Sequence, residues 1–215
     1  MRLSRALVTR LASASTALVL TLHAAPALAQ GGTVGQSTTS GFWIGGGLEG
    51  ASILANDALN SATDSGGGLG LEVGYGLNQR WSLYAALAGA SMSASDFSGN
   101  YSLGHFDLGT RIHFAQERSR VRPFLHVGLS GRAVSQDYIV GSRSYRIEAS
   151  GAGLSFGGGL NAHFNKALAF SAGLTWAVGN FSTYKVNRVE VFGESLGATS
   201  ARAHLGLVYF PGGRR

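Results

Sequence analysis

The sequence predicts an all-β fold, an eight-stranded antiparallel up-and-down transmembrane β-barrel. Three observations lead to this prediction. Eight segments alternate apolar and polar residues with a period of two. Each segment is near or above the roughly 9 to 11 residues that a tilted strand needs to cross a bilayer. The segments follow an export signal, and the connections between them alternate between short and long.

The N-terminal segment has the organisation of a secretory signal peptide. Three arginines precede an apolar run, which ends at the small-residue site Ala27-Leu28-Ala29. That run is shorter than the about 18 residues of a membrane-spanning helix. We therefore expect cleavage after Ala29. The expected organisation is a signal peptide over residues 1–29, a short linker over 30–40, the transmembrane barrel over 41–211 and a short basic tail over 212–215.

The fourth segment, YSLGHFDLGTRIHFA, shows the alternation clearly. Its even-numbered positions include Phe106 and Leu108, whereas its odd-numbered positions include Asp107 and Arg111. One face therefore suits lipid and the other suits a polar interior. By the same pattern, the eight predicted strands lie at about residues 41–51, 68–77, 81–91, 101–115, 121–133, 147–164, 167–180 and 199–210.

The connections between these strands fall into two sets. NQR, QERSR and NK are short, whereas ILANDALNSATDSG, SMSASDFSGNY, SQDYIVGSRSY and FSTYKVNRVEVFGESLGAT are long. Because the two sets alternate, they lie at opposite ends of the barrel. Bacterial outer-membrane barrels combine tight periplasmic turns with longer extracellular loops in this way. The sequence therefore predicts the bacterial outer membrane as the location.

The predicted lipid-facing side carries aromatic residues near the short turns. We expect them to form an aromatic girdle at the periplasmic interface. A soluble barrel with an ordinary aromatic core is the alternative, but the opposite face is too polar for such a core. The girdle residues are Phe42, Tyr75, Trp81, Phe114, Phe164, Phe170 and Tyr209.

The predicted inner face holds ionisable residues from most strands. We expect its histidines and arginines to pair with carboxylates in a buried polar network. A metal site is not expected, because the five histidines after the signal peptide are spread over four strands without metal-motif spacing. The predicted network consists of Glu49, Glu72, His105, Asp107, Arg111, His113, Arg122, His126, Arg132, His163, Arg202 and His204.

Three further features limit the function classes. Gly45, Gly47 and Gly50 have the spacing of a dinucleotide-binding loop, but without a parallel sheet we interpret them as strand glycines in a narrow wall, and expect no cofactor. Loss of the signal peptide removes three of 17 basic residues and none of 11 acidic ones, which leaves a net charge of +3. The remaining basic residues are scattered, so nucleic acid is not an expected partner. The chain contains no Cys, which excludes disulfides and thiol chemistry.

The phrases GLGLEVGYGLNQRWSLYAAL, VRPFLHVGLSG and ARAHLGLVYF carry a resemblance to a known family. Over about residues 41–211 the chain resembles the small eight-stranded OmpA-like and OmpX-like proteins, described as the outer membrane protein β-barrel domain. His204, Gly206 and Tyr209 resemble the terminal signal that the outer-membrane insertion machinery reads. The family usually ends on an aromatic residue, whereas here PGGRR follows Phe210.

The resemblance implies a non-enzymatic envelope protein that contacts its surroundings through extracellular loops. The implied partners are outer-membrane lipid, lipopolysaccharide, the insertion machinery and an unknown extracellular ligand. Two alternatives remain open. One is an enzyme that modifies lipid A, although no serine has a lipid-facing histidine nearby. The other is a soluble lipocalin-like barrel, whose interior would be apolar.

Overall fold

The computed structural model describes residues 39–56, 61–93, 100–114, 119–140, 142–191 and 195–214. The predicted signal peptide and most of the predicted linker lie outside these residues. Within the described ranges, no helix is both long enough and apolar enough to cross a membrane.

The structure consists almost entirely of β-strands. A short 3-10 helix, Pro211–Arg214, follows the last strand. The strands are β1 (Gly41–Asn56), β2 (Ser61–Gly76), β3 (Trp81–Ser93), β4 (Asn100–His113), β5 (Val121–Val140), β6 (Arg143–His163), β7 (Leu168–Val186), β8 (Val189–Val191) and β9 (Leu196–Tyr209).

Eight of these strands form a closed barrel. Strands β1 to β6 pair with their neighbours in chain order, β6 also pairs with β7, and β7 pairs with β9. Strand β9 then pairs with β1 and closes the ring, and every pairing is antiparallel. The predicted all-β, eight-stranded antiparallel up-and-down barrel is confirmed. The short strand β8 pairs with β7 beyond the end of β9 and is not part of the closed wall.

Three predicted long loops are largely strands. Strands β1 and β2 remain paired up to Asn56 and Ser61, within the segment ILANDALNSATDSG. Strands β5 and β6 remain paired up to Val140 and Arg143, within the segment SQDYIVGSRSY. Strand β7 continues to Val186 and then forms a hairpin with β8, within the segment FSTYKVNRVEVFGESLGAT. All three segments contain charged and hydroxyl residues, which are typical of solvated loops. Beyond the closed wall, however, a strand can expose such residues, so the composition does not indicate a loop there.

The outer surface of the barrel wall is apolar along the middle of the strands. Leu48, Leu71 and Leu129 are 66%, 65% and 64% exposed. A soluble protein rarely exposes so many large apolar residues together, whereas a lipid-facing wall requires them.

The glycines of the barrel wall differ in how much space surrounds them. A Cβ on Gly47 would collide with the backbone of β9, whereas a Cβ on Gly50 would have no heavy atom closer than 3.9 Å, so the interpretation as glycines required by a narrow wall holds for Gly47 but not for Gly50.

Candidate functional site

The predicted ionisable residues of the inner face lie on the lumen side of the wall. Glu49, Glu72 and His204 are partly buried, with the Glu49 and Glu72 side chains only 9% and 14% exposed. The fully buried members are His105, Asp107, Arg111, His113, Arg122, His126, Arg132, His163 and Arg202.

Two arginines carry the ion pairs of this layer. Arg111 of β4 donates a hydrogen bond of 2.8 Å to Glu72 of β2. Arg202 of β9 forms a hydrogen-bonded ion pair with Asp107 of β4, and its other terminal nitrogen lies 3.6 Å from Glu49 of β1. The pairs of Arg111 with Glu72 and of Arg202 with Asp107 join strands that are not neighbours in the wall, so they tie the barrel together across its lumen, whereas Glu49 lies on β1, the neighbour of β9.

Aromatic rings surround the guanidinium of Arg111. Its central carbon lies 4.9 Å from the ring centre of Trp43, 5.1 Å from that of Tyr84 and 4.2 Å from that of Phe124. Such cation–π contacts stabilise a buried cation beside its carboxylate partner. None of the three rings was predicted to belong to the polar network. The sequence could have indicated Trp43, because it lies an even number of residues from Glu49 on β1 and therefore points to the same face of the strand.

The partners of the other interior residues differ from the expected carboxylates. Arg122 donates to Thr39 Oγ1 at 3.0 Å and to Gln79 Oε1 at 2.9 Å. Arg132 donates to the Ala198 carbonyl at 3.0 Å and lies over the ring of Phe181. Hydroxyl, amide and carbonyl oxygens are therefore the hydrogen-bond partners of Arg122 and Arg132, so the network does not consist of ion pairs alone.

Four histidines contact hydroxyl groups on the lumen side of the wall. The distances are 3.2 Å from His105 to Ser200, 3.4 Å from His113 to Ser82, 3.2 Å from His126 to Thr175 and 3.1 Å from His204 to Ser171. A serine beside a histidine is a component of many hydrolytic sites. These contacts lie inside the barrel, where a lipid acyl chain outside the wall does not reach them.

A buried apolar layer lies on each side of the charged layer. We call the layer at the end with the long connections the mouth cluster. It consists of Ala51, Ile53, Ala90, Met92, Leu103, Phe181 and Ala198. We call the layer at the end with the short turns the base cluster. It consists of Trp43, Tyr84, Ala169, Val208 and Phe210. The ion pairs of Arg111 and Arg202 lie between these two clusters, whereas Arg122 contacts Gln79 in the short turn between β2 and β3.

The C-terminal end of the chain contributes to this closure. Phe210 follows β9 and is buried, with its ring centre 6.5 Å from that of Trp43 and 5.3 Å from that of His163. Its backbone nitrogen donates to the Ala167 carbonyl at 2.7 Å. The last aromatic residue of the chain therefore turns into the lumen, whereas the preceding Tyr209 has outward parity.

A small cavity of about 60 Å³ lies beside the ion pairs. Its lining includes Glu49, Glu72, Asp107, Arg111 and Arg202. Pockets for organic ligands usually measure roughly 300 to 1,000 Å³ and are mostly apolar. The cavity does not fit a lipocalin-type ligand. Among the described residues, no group of three or more His, Asp or Glu side chains is arranged to hold a metal ion.

The predicted girdle residues lie near the short turns. Phe42, Tyr75, Trp81, Phe114 and Phe164 are exposed on the outer surface. Phe170 and Tyr209 lie on the same side of the wall and are partly buried. The arrangement is compatible with an aromatic belt in the membrane interface on that side.

A four-stranded sheet projects from the other end of the barrel, where the strands are longest. We call it the tip sheet. It consists of residues 134–140 of β5, 143–150 of β6, 183–186 of β7 and the short strand β8. One of its faces is charged, and there Arg146 donates two hydrogen bonds to Asp137, at 2.8 and 3.1 Å. The other face is apolar and packs at its lower end against the mouth cluster through Val134, Ala149 and Tyr184.

Comparisons with known proteins agree with this architecture. The model of a family described as "Outer membrane protein beta-barrel domain" matches residues 15–209. No curated protein matches the chain in sequence.

Solved structures of small barrels are similar to the chain in fold. Neisserial surface protein A has 20% identity and a TM-score of 0.57, over 79% of this chain and 97% of that one. OprG from Pseudomonas aeruginosa has 15% identity and a TM-score of 0.58, over 81% and 97%. Ail, the attachment invasion locus protein of Yersinia pestis, has 14% identity and a TM-score of 0.50, over 80% and 99%. At these identities the similarity concerns the fold alone.

Proposed function

We propose, from the premise that the chain belongs to the outer membrane protein β-barrel domain family, that it acts at the bacterial cell surface by contact rather than by transport or catalysis. In this proposal the chain is exported, cleaved after Ala29 and inserted so that the short turns face the periplasm. The tip sheet then projects from the cell. Its partners are outer-membrane lipid, lipopolysaccharide, the insertion machinery and an extracellular ligand.

The proposal rests on one difference: side chains fill the lumen, whereas the tip sheet is exposed. The ion pairs of Arg111 and Arg202 lie between the mouth cluster and the base cluster, and the cavity of about 60 Å³ beside them has no room for an organic solute. The tip sheet, in contrast, exposes Tyr138, Ile147, Val189 and Val191 in a region above the membrane. Exposed apolar patches outside lipid commonly mark interaction surfaces.

An enzyme that modifies lipid A is the alternative. The contacts between serine and histidine side chains support that alternative, but they lie on the lumen side of the wall, away from lipid. Mass spectrometry of lipid A from a deletion strain and its complemented parent tests it. We expect identical acyl chains, and a change in acyl number would favour the enzyme.

The proposed orientation can be tested by labelling single cysteines, because the chain contains none. Arg188→Cys lies at the tip of the β7–β8 hairpin, and Lys166→Cys is the matched basic position in the opposite turn between β6 and β7. On intact cells, a membrane-impermeant maleimide should label Arg188→Cys alone. Labelling of Lys166→Cys alone would contradict the orientation.

The contact function itself can be tested by shortening the β5–β6 hairpin. A variant in which a tight turn replaces residues 137–146 keeps every strand of the closed wall. We expect it to insert normally, as judged by heat-modifiable migration, and to reduce the adherence of intact cells to protein-coated surfaces. Equal adherence of the parent, the shortened variant and the deletion strain would contradict the proposal.

A further inference from the structure

Strand β8 forms one edge of the tip sheet. Within the described part of the chain it pairs with β7 alone, and its three residues are all exposed. Proteins usually protect such edges by keeping them very short or with charged residues (lysine above all), proline, a bulge or a covering segment. Strand β8, Val-Glu-Val, is short and carries one charge, Glu190, but it contains neither lysine nor proline. Its backbone can accept a further strand whose residue opposite Glu190 is basic, and strand addition is a common mode of peptide recognition.

The turn before β8 holds this edge in place. Asn187 and Arg188 have φ angles of 52° and 69°, as in the two-residue turns that suit β-hairpins. The Asn187 backbone N–H donates to the Arg146 carbonyl at 2.9 Å, and the Arg146 backbone N–H donates to Oδ1 of the Asn187 side chain at 2.9 Å. A positive φ is unfavourable for arginine, so these contacts stabilise a turn that Arg188 alone would not favour. The edge is thus formed before any partner binds, which lowers the ordering cost of binding.

Rows of residues run across the tip sheet and end at β8. The central row is Glu148, Lys185 and Glu190, so its charges alternate in sign and the last is negative. The row farther from the barrel contains Ile147, Val186 and Val189, and the row nearer to the barrel contains Ala149, Tyr184 and Val191. A strand added next to β8 would continue all three rows. It would place a basic residue opposite Glu190 and apolar residues opposite the two valines.

We propose that β8 is a docking edge for an extended segment of another protein with the pattern apolar, basic, apolar. The central basic residue pairs with Glu190, and the flanking residues cover Val189, which is 67% exposed, and Val191. The inference rests on the proposed function, because it specifies the partner of the surface that the barrel presents outside the cell.

A second copy of the chain fits this edge poorly. Two β8 strands paired antiparallel about a twofold axis would place Glu190 opposite its own copy. Directly opposed like charges destabilise a strand pair. The charge at the end of the central row therefore favours a different chain with a basic residue at that position.

The test uses the purified, folded protein in lipid nanodiscs and two short synthetic peptides. The peptides share one sequence except at the centre, where one carries Val-Lys-Val and the other Val-Glu-Val. Amide resonances of residues 189–191 report binding. We expect the lysine peptide to bind about two- to fivefold more tightly, as cross-strand charge pairs of this kind allow.

Two variants make the test specific. Glu190→Lys should reverse the preference, so that the glutamate peptide binds more tightly. Glu148→Gln removes an acid from the same row at an interior strand and is the matched control, so it should leave the preference unchanged. Equal binding of both peptides, or shifts confined to other strands, would overturn the inference. Self-association without peptide that uses β8 would also overturn it in favour of a second copy.

The peptide-binding test and the cysteine-labelling test can fail separately, because the first uses purified protein and the second uses intact cells. If Arg188→Cys is labelled from outside the cell but neither peptide binds β8, only the docking inference fails. If the lysine peptide binds as expected but Lys166→Cys is the position labelled on intact cells, the proposed function fails.

Discussion

Glu72→Ala removes one half of the buried ion pair between β2 and β4. Glu72 accepts a hydrogen bond of 2.8 Å from Arg111, whose side chain is only 3% exposed. Without the carboxylate, the guanidinium stays among Trp43, Tyr84 and Phe124 with an uncompensated charge. Loss of one partner of a buried pair costs about 3 to 5 kcal/mol. The rings do not offset this cost, because they already contact the guanidinium in the parent protein.

The free energy of unfolding can be measured by urea titration of the barrel in lipid vesicles, with tryptophan fluorescence as the signal. We expect Glu72→Ala to lower it by about 3 to 5 kcal/mol. Asp137→Ala is the matched control, because it breaks an Arg–Asp pair on the exposed charged face of the tip sheet. Exposed pairs contribute little to stability, so this control should unfold almost as the parent does.

A double variant separates the ion pair from general damage to the lumen. Glu72→Met combined with Arg111→Met removes both charges and keeps similar side-chain volumes. Replacement of a whole buried pair by apolar residues is often close to neutral. The double variant should therefore be more stable than Glu72→Ala. Equal unfolding midpoints for Glu72→Ala and Asp137→Ala, or a double variant that is the least stable of all, would refute this reasoning.

Three further predictions follow from the lipid-facing wall, the tip sheet and the base cluster. Leu71→Arg should reduce the yield of folded barrel far more than Val189→Arg. The two side chains are similarly exposed, at 65% and 67%, but only Leu71 faces lipid, where an arginine costs about 2 to 4 kcal/mol. Equal yields on a heat-modifiability gel would show that the assigned faces are wrong. Hydrogen bonds from Arg146 hold the pKa of Asp137 below its usual value, so this contribution to tip-sheet stability is present at neutral pH and is lost as the pH falls through the folded-state pKa. An NMR titration should give a lower midpoint for Asp137 in the parent than in Arg146→Gln, and identical midpoints would contradict the pairing. Phe210→Ala should destabilise the barrel by about 3 to 5 kcal/mol in urea titration because it truncates a buried aromatic residue, whereas an unchanged midpoint would exclude Phe210 from the core.

The wall of the barrel could be predicted from the sequence because strand periodicity is strict. Successive side chains of a strand point to opposite faces, so Glu72 and Leu71 had to lie on different sides once the strand was recognised. The partners within the lumen could not be predicted in the same way. Arg202 reaches Asp107 across the barrel, and that contact depends on how eight strands close and shear relative to one another.

The ends of the barrel were harder to predict than its middle. Met92 and Leu103 share the parity of the polar face, but they lie where the predicted strands end, so the apolar mouth cluster was not foreseen. The tip sheet was missed because outside lipid both faces of a strand can carry polar residues. Phe210 was noted for its unusual position near the end of the chain, but a single aromatic residue does not reveal that it turns into the lumen.

The closed lumen can be tested most directly by planar-bilayer recording of the purified, folded protein. Eight-stranded barrels are narrow enough for side chains to fill, and here an apolar cluster lies on each side of the ion pairs of Arg111 and Arg202. We predict no stable conductance for the parent protein. Frequent, long-lived conductance steps would contradict the closed lumen and, with it, the proposal that the protein acts by surface contact rather than by transport.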